Sequence, residues 1–158
     1  QAAFWFRKAA EQGHASAQAN LGNMYDFGEG VPKDVVQAVD WYRKAAEKGH
    51  ATAQYFLAIM YGKGEGVPKD AVQEAAWYRK AAEQGFASAQ FNLGVMYDKG
   101  EGVSKNSILA YAWWNLAAAV GDEGARKNRD LIEKEMTSAQ VAEAQRLSAN
   151  WKPGQKMQ

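Results

Sequence analysis

Hydrophobic residues along this chain follow a helical spacing that glycines interrupt at regular intervals. In the segment HATAQYFLAIMYG, Ala53, Leu57, Met60 and Tyr61 fall at positions i, i+4, i+7 and i+8, which lie on one face of a helix. A run of glycines then ends the pattern, and Pro68 cannot continue a helix. The pattern therefore predicts a helix, a glycine-rich turn and a second helix.

The same arrangement recurs every 36 residues, and residues 14–49 and 50–85 are identical at 24 of 36 positions. Four tryptophans and four helix-ending glycines keep this spacing: Trp5, Trp41, Trp77 and Trp113, and Gly13, Gly49, Gly85 and Gly121. A fixed period of this length is typical of a helical repeat protein, in which stacked units bury a continuous core. We expect an all-α α-solenoid of about nine helices within a single domain, 1–150. Its parts are a partial unit at 1–13, repeats at 14–49, 50–85 and 86–121, capping helices at 122–150, and a flexible tail at 151–158.

The second helix of each unit has its own start and stop signals. Asp34 with Gln37, and Asp70 with Gln73, match the capping box that begins a helix, and Thr137 begins the last helix in the same way. The repeated glycines at the ends of these helices fit the left-handed conformation that terminates them. The small side chains of Ala45 and Ala81 are expected where helices touch.

At this point the sequence resembles a known family. The strings AQANLGNMY, AQYFLAIMY and AQFNLGVMY, the turn GEGV and the strings WYRKAAEKG and WYRKAAEQG are similar to those of Sel1-like repeats. The resemblance covers about residues 1–121, with Ala58 standing where glycine is usual. It implies a right-handed superhelix, related to tetratricopeptide repeats, that serves as an adaptor or scaffold, often in exported or signalling proteins of bacteria.

Composition narrows the class of function. Nineteen basic and 18 acidic residues give a net charge of +1, so there is no basic field to hold nucleic acid or an anionic membrane. The chain has no cysteine, which excludes disulfides and thiolate zinc sites. The first residue lies inside a repeat, so we expect the natural N-terminus to lie upstream. The compartment stays open, with a periplasmic or secreted bacterial protein among the alternatives.

Candidate catalytic or cofactor-binding residues are few. His14 and His50 share a phase that Phe86 and Asp122 fill in the other units, which favours a turn role over a metal or catalytic role. The turns GEGVPK and GEGVSK match neither a P-loop nor a dinucleotide fingerprint. Cysteine-rich relatives of the family have been linked to penicillin binding, but this chain lacks their cysteines and the SxxK and KTG motifs. We therefore expect neither a catalytic site nor a cofactor nor a metal.

Positions that differ between units are the candidates for recognition. Three phases on the first helices, four residues apart, form one stripe, and its residues are Ala19, Asn23, Phe27, Tyr55, Ile59, Lys63, Phe91, Val95 and Lys99. In the fourth unit the same phases hold Lys127, Leu131 and Glu135. If the array curves as tetratricopeptide repeats do, the stripe faces a concave groove. Ile59 and Val95 suit packing between helices equally well.

Three functions remain from the sequence. The first is a non-catalytic scaffold that binds a peptide or helix of another protein, with some acidic character, in a bacterial signalling, envelope or host-interaction process. The second is a hydrolase or a small-molecule or glycan binder of the cysteine-rich type. The third is a structural spacer within a longer array. Self-association through the terminal helices is a further expectation, since Phe4 and Phe6 lie at the unpaired start.

Overall fold

The structure is a computed structural model that describes residues 2–157. Within that range the chain forms nine helices and no strand, which confirms the all-α prediction. The helices are α1 (Ala2–Glu11), α2 (Ala15–Phe27), α3 (Val35–Glu47), α4 (Ala51–Lys63), α5 (Ala71–Glu83), α6 (Ala87–Lys99), α7 (Ser107–Ala119), α8 (Glu123–Glu133) and α9 (Ser138–Asn150). First helices of the repeats are α2, α4 and α6, and second helices are α1, α3, α5 and α7.

The chain divides into two compact units, Gln1–Trp77 and Tyr78–Gln158, which are named unit 1 and unit 2 below. In unit 1, Leu21 packs with Ala10 and Ala17, and Trp41 covers this cluster from α3. In unit 2, the core between α6 and α7 contains Leu93, Trp113 and Trp114, all nearly or fully buried. Each core therefore combines small residues, which let helices approach, with aromatic side chains that fill the space between them.

Side chains cap α3, α5 and α9 at the residues that the sequence predicts, although at Asp34 the reciprocal bond of a full capping box is not formed. The Asp34 carboxylate accepts hydrogen bonds from the backbone N–H groups of Val36 and Gln37, at 3.1 Å each. Asp70 accepts in the same way from the second and third residues of α5, at 2.9 and 3.0 Å. Thr137 and Gln140 form the full reciprocal capping box at the start of α9. The repeated glycines end the second helices with positive φ, 86° at Gly49 for example.

A buried glutamine joins each first helix to the second helix before it. The side-chain amides of Gln18, Gln54 and Gln90 donate to the carbonyl oxygens of Ala10, Ala46 and Ala82, at 3.0, 3.1 and 3.2 Å. An arginine–tyrosine pair supports the same junction, since Arg43 donates to the Tyr61 hydroxyl at 3.3 Å and Arg79 to the Tyr97 hydroxyl at 2.8 Å. Both contacts recur with the sequence period.

The segment after α9 contacts the rest of unit 2. The Trp151 ring lies edge-on to the Trp113 ring at 5.8 Å, and the Gly154 N–H donates to the carbonyl oxygen of Glu83 at 2.6 Å. The Trp151 indole N–H donates to the carbonyl oxygen of Gln155 at 2.8 Å, which closes a turn around Pro153. The predicted flexibility of residues 151–158 is not tested by the structure. Trp151 and Gly154 nevertheless make specific contacts with other residues of unit 2.

Replacing Ala45 with Leu tests the close packing of the second helices. Ala45 is fully buried, so three added carbons have no space and should lower the free energy of unfolding by about 1–3 kcal/mol. Urea denaturation followed by circular dichroism measures this change. Val36→Leu, on the exposed side of the same helix, is the control. Equal midpoints for the Ala45→Leu variant and the parent chain would contradict the packing argument.

The helix caps give a second prediction. Asp34→Ala and Asp70→Ala each remove the acceptor for two backbone N–H groups, so each should lower the free energy of unfolding by about 0.5–2 kcal/mol. Asp34→Asn keeps an acceptor and should lose less. The same denaturation measurement applies, and an unchanged curve for both alanine variants would show that the caps contribute nothing.

Candidate partner-binding surface

A cavity of about 280 Å³ opens on unit 2 between α6, α7 and α8. Its inner wall is apolar, because Trp114 and Ile132 line it and are only 2% and 5% exposed. Leu131 stands at the rim and is 61% exposed. The lining also includes Val95, Asp98, Lys99, Asn128 and Glu135. The cavity therefore offers a buried apolar wall within a ring of polar groups, as protein-binding sites do.

The position of the Trp114 ring depends on one hydrogen bond and on the absence of a side chain at Gly94. Its indole N–H donates to the carbonyl oxygen of Phe91 at 3.1 Å. A Cβ atom on Gly94 would lie only 2.5 Å from that indole nitrogen, so only glycine leaves room for the ring. Gly22 meets the Tyr42 ring in the same way in unit 1, with 2.7 Å to the nearest ring carbon. Gly22 and Gly94 thus make space for an aromatic side chain of the next second helix, whereas Ala58 stands at this position in the repeat between them.

Charged groups at the cavity are of both signs. Asp98 and Glu135 bring two carboxylates, and Lys99 brings one ammonium group. The sequence, read through Lys63 and Lys99, favours a partner with acidic character. The structure adds the carboxylates of Asp98 and Glu135 to the same cavity, so its charged groups are mixed rather than basic alone.

Phe91 has a mixed environment. Its ring is half-buried, and its Cε2 atom lies 3.1 Å from where a Cβ atom on Gly124 would be. The ring therefore covers the first turn of α8 while its other part remains accessible. Val95, next on the same helix face, is half-buried at the cavity wall, and Lys99 is exposed. All three stripe residues of unit 2 lie on the α6 face that borders the cavity.

The stripe residues of α4 in unit 1 are also accessible. Tyr55 and Ile59 are half-buried and Lys63 is exposed, with its ammonium 4.0 Å from the Glu65 carboxylate. The Tyr55 ring lies edge-on to the Phe56 ring at 5.5 Å, which limits its movement. None of the three aromatic residues of the stripe, Phe27, Tyr55 and Phe91, is fully buried between helices.

Two stripe residues of α2 differ from the expectation. Ala19 is only 3% exposed, because its short side chain lies inside the helix packing, so a partner does not reach it in this structure. Asn23 is half-buried, and its side-chain oxygen accepts from the Tyr42 hydroxyl at 2.6 Å. Burial, with a smaller contribution from Asp26, raises the pKa of Tyr42, so the hydroxyl remains a donor. Phe27, at the end of α2, is well exposed.

Several cavity residues lie outside the predicted stripe. Trp114, Asp98, Asn128 and Ile132 were not among the sequence candidates, although Trp114 occupies the second-helix phase of Tyr42. Leu131 and Glu135 do share phases with Val95 and Lys99, and that spacing is the signal that finds them. The phases of the first helices alone do not identify Trp114, because it belongs to a second helix that packs behind the stripe.

The start of unit 1 presents an apolar surface. Phe4 and Trp5 are exposed, and a groove of about 530 Å³ is lined by Trp5, Phe6, Ala9, His14, Ser16, Ala17 and Asn20. His14 borders this groove at the N-terminus of α2, and His50 accepts a hydrogen bond from the Ala53 N–H at 3.3 Å.

Over the described residues, no three His, Cys, Asp or Glu side chains cluster in a way that would hold a metal ion. None of the helices described here is long and apolar enough to cross a membrane.

Helical hairpins that repeat at a fixed period are the defining feature of α-solenoid repeat proteins. In this chain they repeat every 36 residues, and a buried glutamine contact lies at each junction between a second helix and the next first helix. Within this class the chain belongs to the Sel1 repeat family, whose sequence model matches residues 1–14, 15–50, 51–86 and 87–122. These boundaries lie one residue later than those expected from the sequence. Sel1 repeats generally act as scaffolds for protein–protein interaction.

Solved structures of bacterial proteins resemble this chain. A protective antigen of uropathogenic Escherichia coli with an SLR fold matches with a TM-score of 0.84 and 44% identity, over 92% of this chain and 31% of its own length. A Sel1 repeat protein of Oxalobacter formigenes matches with a TM-score of 0.76 and 42% identity, over 80% of this chain and 52% of its own. Cysteine rich protein B of Helicobacter pylori, at 24% identity and a TM-score of 0.62, shares the fold over 77% of this chain and 92% of its own.

The chain thus spans about a third of the E. coli antigen and about half of the Oxalobacter protein. No curated protein sequence matches it.

The position of Trp114 can be tested through Gly94. Gly94→Ala places a methyl group against the indole nitrogen, so we expect the ring to move and the free energy of unfolding to fall by about 1–3 kcal/mol. The measurement is urea denaturation, together with the fluorescence of the buried tryptophans. Gly124→Ala is the comparison variant, since its methyl group would meet the Phe91 ring at 3.1 Å and the Asp122 carboxylate at 3.3 Å, which are longer contacts, so we expect a smaller loss of stability. A Gly94→Ala variant as stable as the parent would show that Trp114 is free to shift.

Proposed function

We propose that this protein is a non-catalytic scaffold that binds a peptide or helix of another protein on the exposed face of its first helices. One observation carries the proposal. Val95 and Lys99, predicted from the repeat pattern, line one cavity with Leu131 and Glu135, which occupy the same phases one repeat later. Positions that vary between units therefore meet at an accessible apolar site.

The size and lining of the cavity suit a side chain of a protein partner. Its volume of about 280 Å³ lies at the lower edge of the roughly 300–1,000 Å³ common for small-molecule sites. Such a space suits a single apolar side chain of a partner, inserted against Trp114 and Ile132. The charged rim would then orient the partner more than strengthen its binding.

In unit 1 the proposed contact residues are Phe27, Tyr55, Ile59 and Lys63, with Asn23 as a minor polar contact. Tyr55 combines a rigid ring with a hydroxyl group, and such side chains give contact area at low entropy cost. Ala19 is left out of the surface because it is buried.

The cellular process we propose is an envelope or host-interaction process in a bacterium. The support is the likeness to bacterial proteins, among them one described as a protective antigen of uropathogenic E. coli. The chain covers 31% of that protein, so the proposal concerns the repeat region alone.

A pair of matched substitutions tests the proposed site. Leu131 and Val72 are both exposed apolar residues, 61% and 63% accessible, and only Leu131 borders the cavity. Leu131→Asp should remove an apolar contact and add a third carboxylate beside Asp98 and Glu135, so binding should weaken by at least about tenfold, as for a central interface residue. Val72→Asp should leave binding unchanged. The measurement is affinity capture with quantitative mass spectrometry, followed by titration of the captured partner.

Circular dichroism of both variants is the control for correct folding. A partner that Leu131→Asp retains at the affinity of the parent chain would contradict the proposed site. A full chain that captures no protein reproducibly would contradict the scaffold itself and favour a spacer role.

A further inference from the structure

The C-terminal segment of unit 2 lies in a groove beside the end of α5. Three contacts hold it there. The Trp151 ring lies edge-on to Trp113 at 5.8 Å, Pro153 comes within 3.6 Å of the Cβ position of Gly85, and the Gly154 N–H donates to the Glu83 carbonyl at 2.6 Å. The segment is extended through Trp151 and turns at Pro153 and Gly154. It shows which peptide chemistry this type of groove accepts.

The same groove exists in unit 1, two repeats earlier in the chain. Glu83, Gly85 and Trp113 correspond through the 36-residue period to Glu11, Gly13 and Trp41. All three of these earlier residues line a groove of about 510 Å³ in unit 1, together with Ala10, Gln18, Lys44, Glu47 and Lys48. Each position that the C-terminal segment contacts in unit 2 therefore has a counterpart in the wall of this groove.

We propose that the groove around Trp41 binds an extended segment of a partner protein in which an aromatic residue stands two positions before Pro-Gly. This site is separate from the first-helix surface, and the proposal does not depend on it. Residues 151–154 of the chain itself, Trp-Lys-Pro-Gly, form such a segment in unit 2.

The backbone of unit 1 supplies the polar contact that the segment needs. Glu11 is the last residue of α1, as Glu83 is of α5. The carbonyl groups in the last turn of a helix have no partner within the helix, so the Glu11 carbonyl is placed to accept the N–H of a bound glycine. Gly13 has a φ of 91°, close to the 90° of Gly85, so the chain turns in the same way at both sites.

The residues at the rims of the two grooves differ, and this difference affects which peptide the unit 1 groove would bind. Lys44 and Lys48 stand where unit 2 has Leu116 and Val120. The Lys44 ammonium lies 4.0 Å from the centre of the Trp41 ring, and Lys48 donates to the Gly13 carbonyl. Both lysines are exposed, and a bound proline would have to displace the Lys48 ammonium, which lies 2.7 Å from the Cβ position of Gly13. Two glutamates, Glu11 and Glu47, balance their charge, so the ring and the Pro-Gly turn would select the ligand.

The test uses the full chain and a labelled peptide with the sequence of residues 150–156, Asn-Trp-Lys-Pro-Gly-Gln-Lys. We expect saturable binding by fluorescence anisotropy, and a shift of the Trp41 indole N–H resonance in NMR spectra. Peptides with Trp replaced by Ala, or Pro-Gly by Ala-Ala, should bind about tenfold more weakly or not at all, as expected for loss of an anchor residue.

Two variants locate the site. Trp41→Leu should weaken peptide binding about tenfold, whereas Trp5→Leu, at the same phase but outside this groove, should not change it. Because Trp41 also covers the Leu21 cluster, Glu47→Trp offers a second variant that fills the groove from its exposed rim and should weaken binding equally.

Four outcomes would overturn the proposal. The peptide could fail to bind, or bind with Trp113 shifting and Trp41 unchanged, which would mean that it displaces the chain's own C-terminal segment. Self-association that requires both Trp41 and Trp151, seen by sedimentation, would assign the groove to a second copy of this chain. Loss of binding in Leu131→Asp would assign the peptide to the first-helix surface.

Discussion

A buried glutamine amide sets the register on which the repeats depend. Gln18, Gln54 and Gln90 are 4%, 4% and 3% exposed, and each donates to a carbonyl oxygen eight residues earlier. A buried amide without a partner costs about 1–3 kcal/mol, so the turn between the two helices has little freedom to lengthen or shift. The end of one second helix and the start of the next first helix are thereby fixed to each other. A fixed junction lets one set of small and aromatic side chains fit in every unit.

The fourth unit shows what replaces this contact when the glutamine is absent. Arg126 stands at the glutamine position and is exposed. Asn115 joins the last helices instead, donating to the Ser148 hydroxyl at 2.9 Å and accepting from Arg129 at 3.0 Å. A polar side-chain network therefore ends the array where the repeated backbone contact stops. This change of contact accounts for the divergence of α8 and α9 from the repeat pattern.

The fold follows from the sequence because its determinants are local and repeated. A short stretch of sequence is enough to identify the apolar face of a helix, a capping residue such as Asp34 or Thr137, and the glycine at a helix end. The stripe was predicted less completely, since phase alone does not give exposure. Ala19 has the phase of Tyr55 and Phe91, but its side chain is too short to leave the packing. Trp114 was missed because it comes from a second helix, and only the packing of α7 against α6 places it behind Val95 and Lys99.

Repetition also separates the residues that build the structure from those available for recognition. Gly22 and Gly94 both make room for an aromatic ring from the next second helix, yet the ring is Tyr42 in one case and Trp114 in the other. Tyr42 uses its hydroxyl to bind Asn23 on the first-helix surface, whereas Trp114 turns its indole N–H to the Phe91 backbone. The Tyr42 hydroxyl therefore occupies the side-chain oxygen of Asn23. The Trp114 indole instead bonds to a backbone carbonyl of α6 and gives the cavity an apolar wall. Two positions that differ between the units, Tyr42 against Trp114 and Asn23 against Val95, thus give a polar, internally bonded surface in unit 1 and an apolar, accessible one in unit 2.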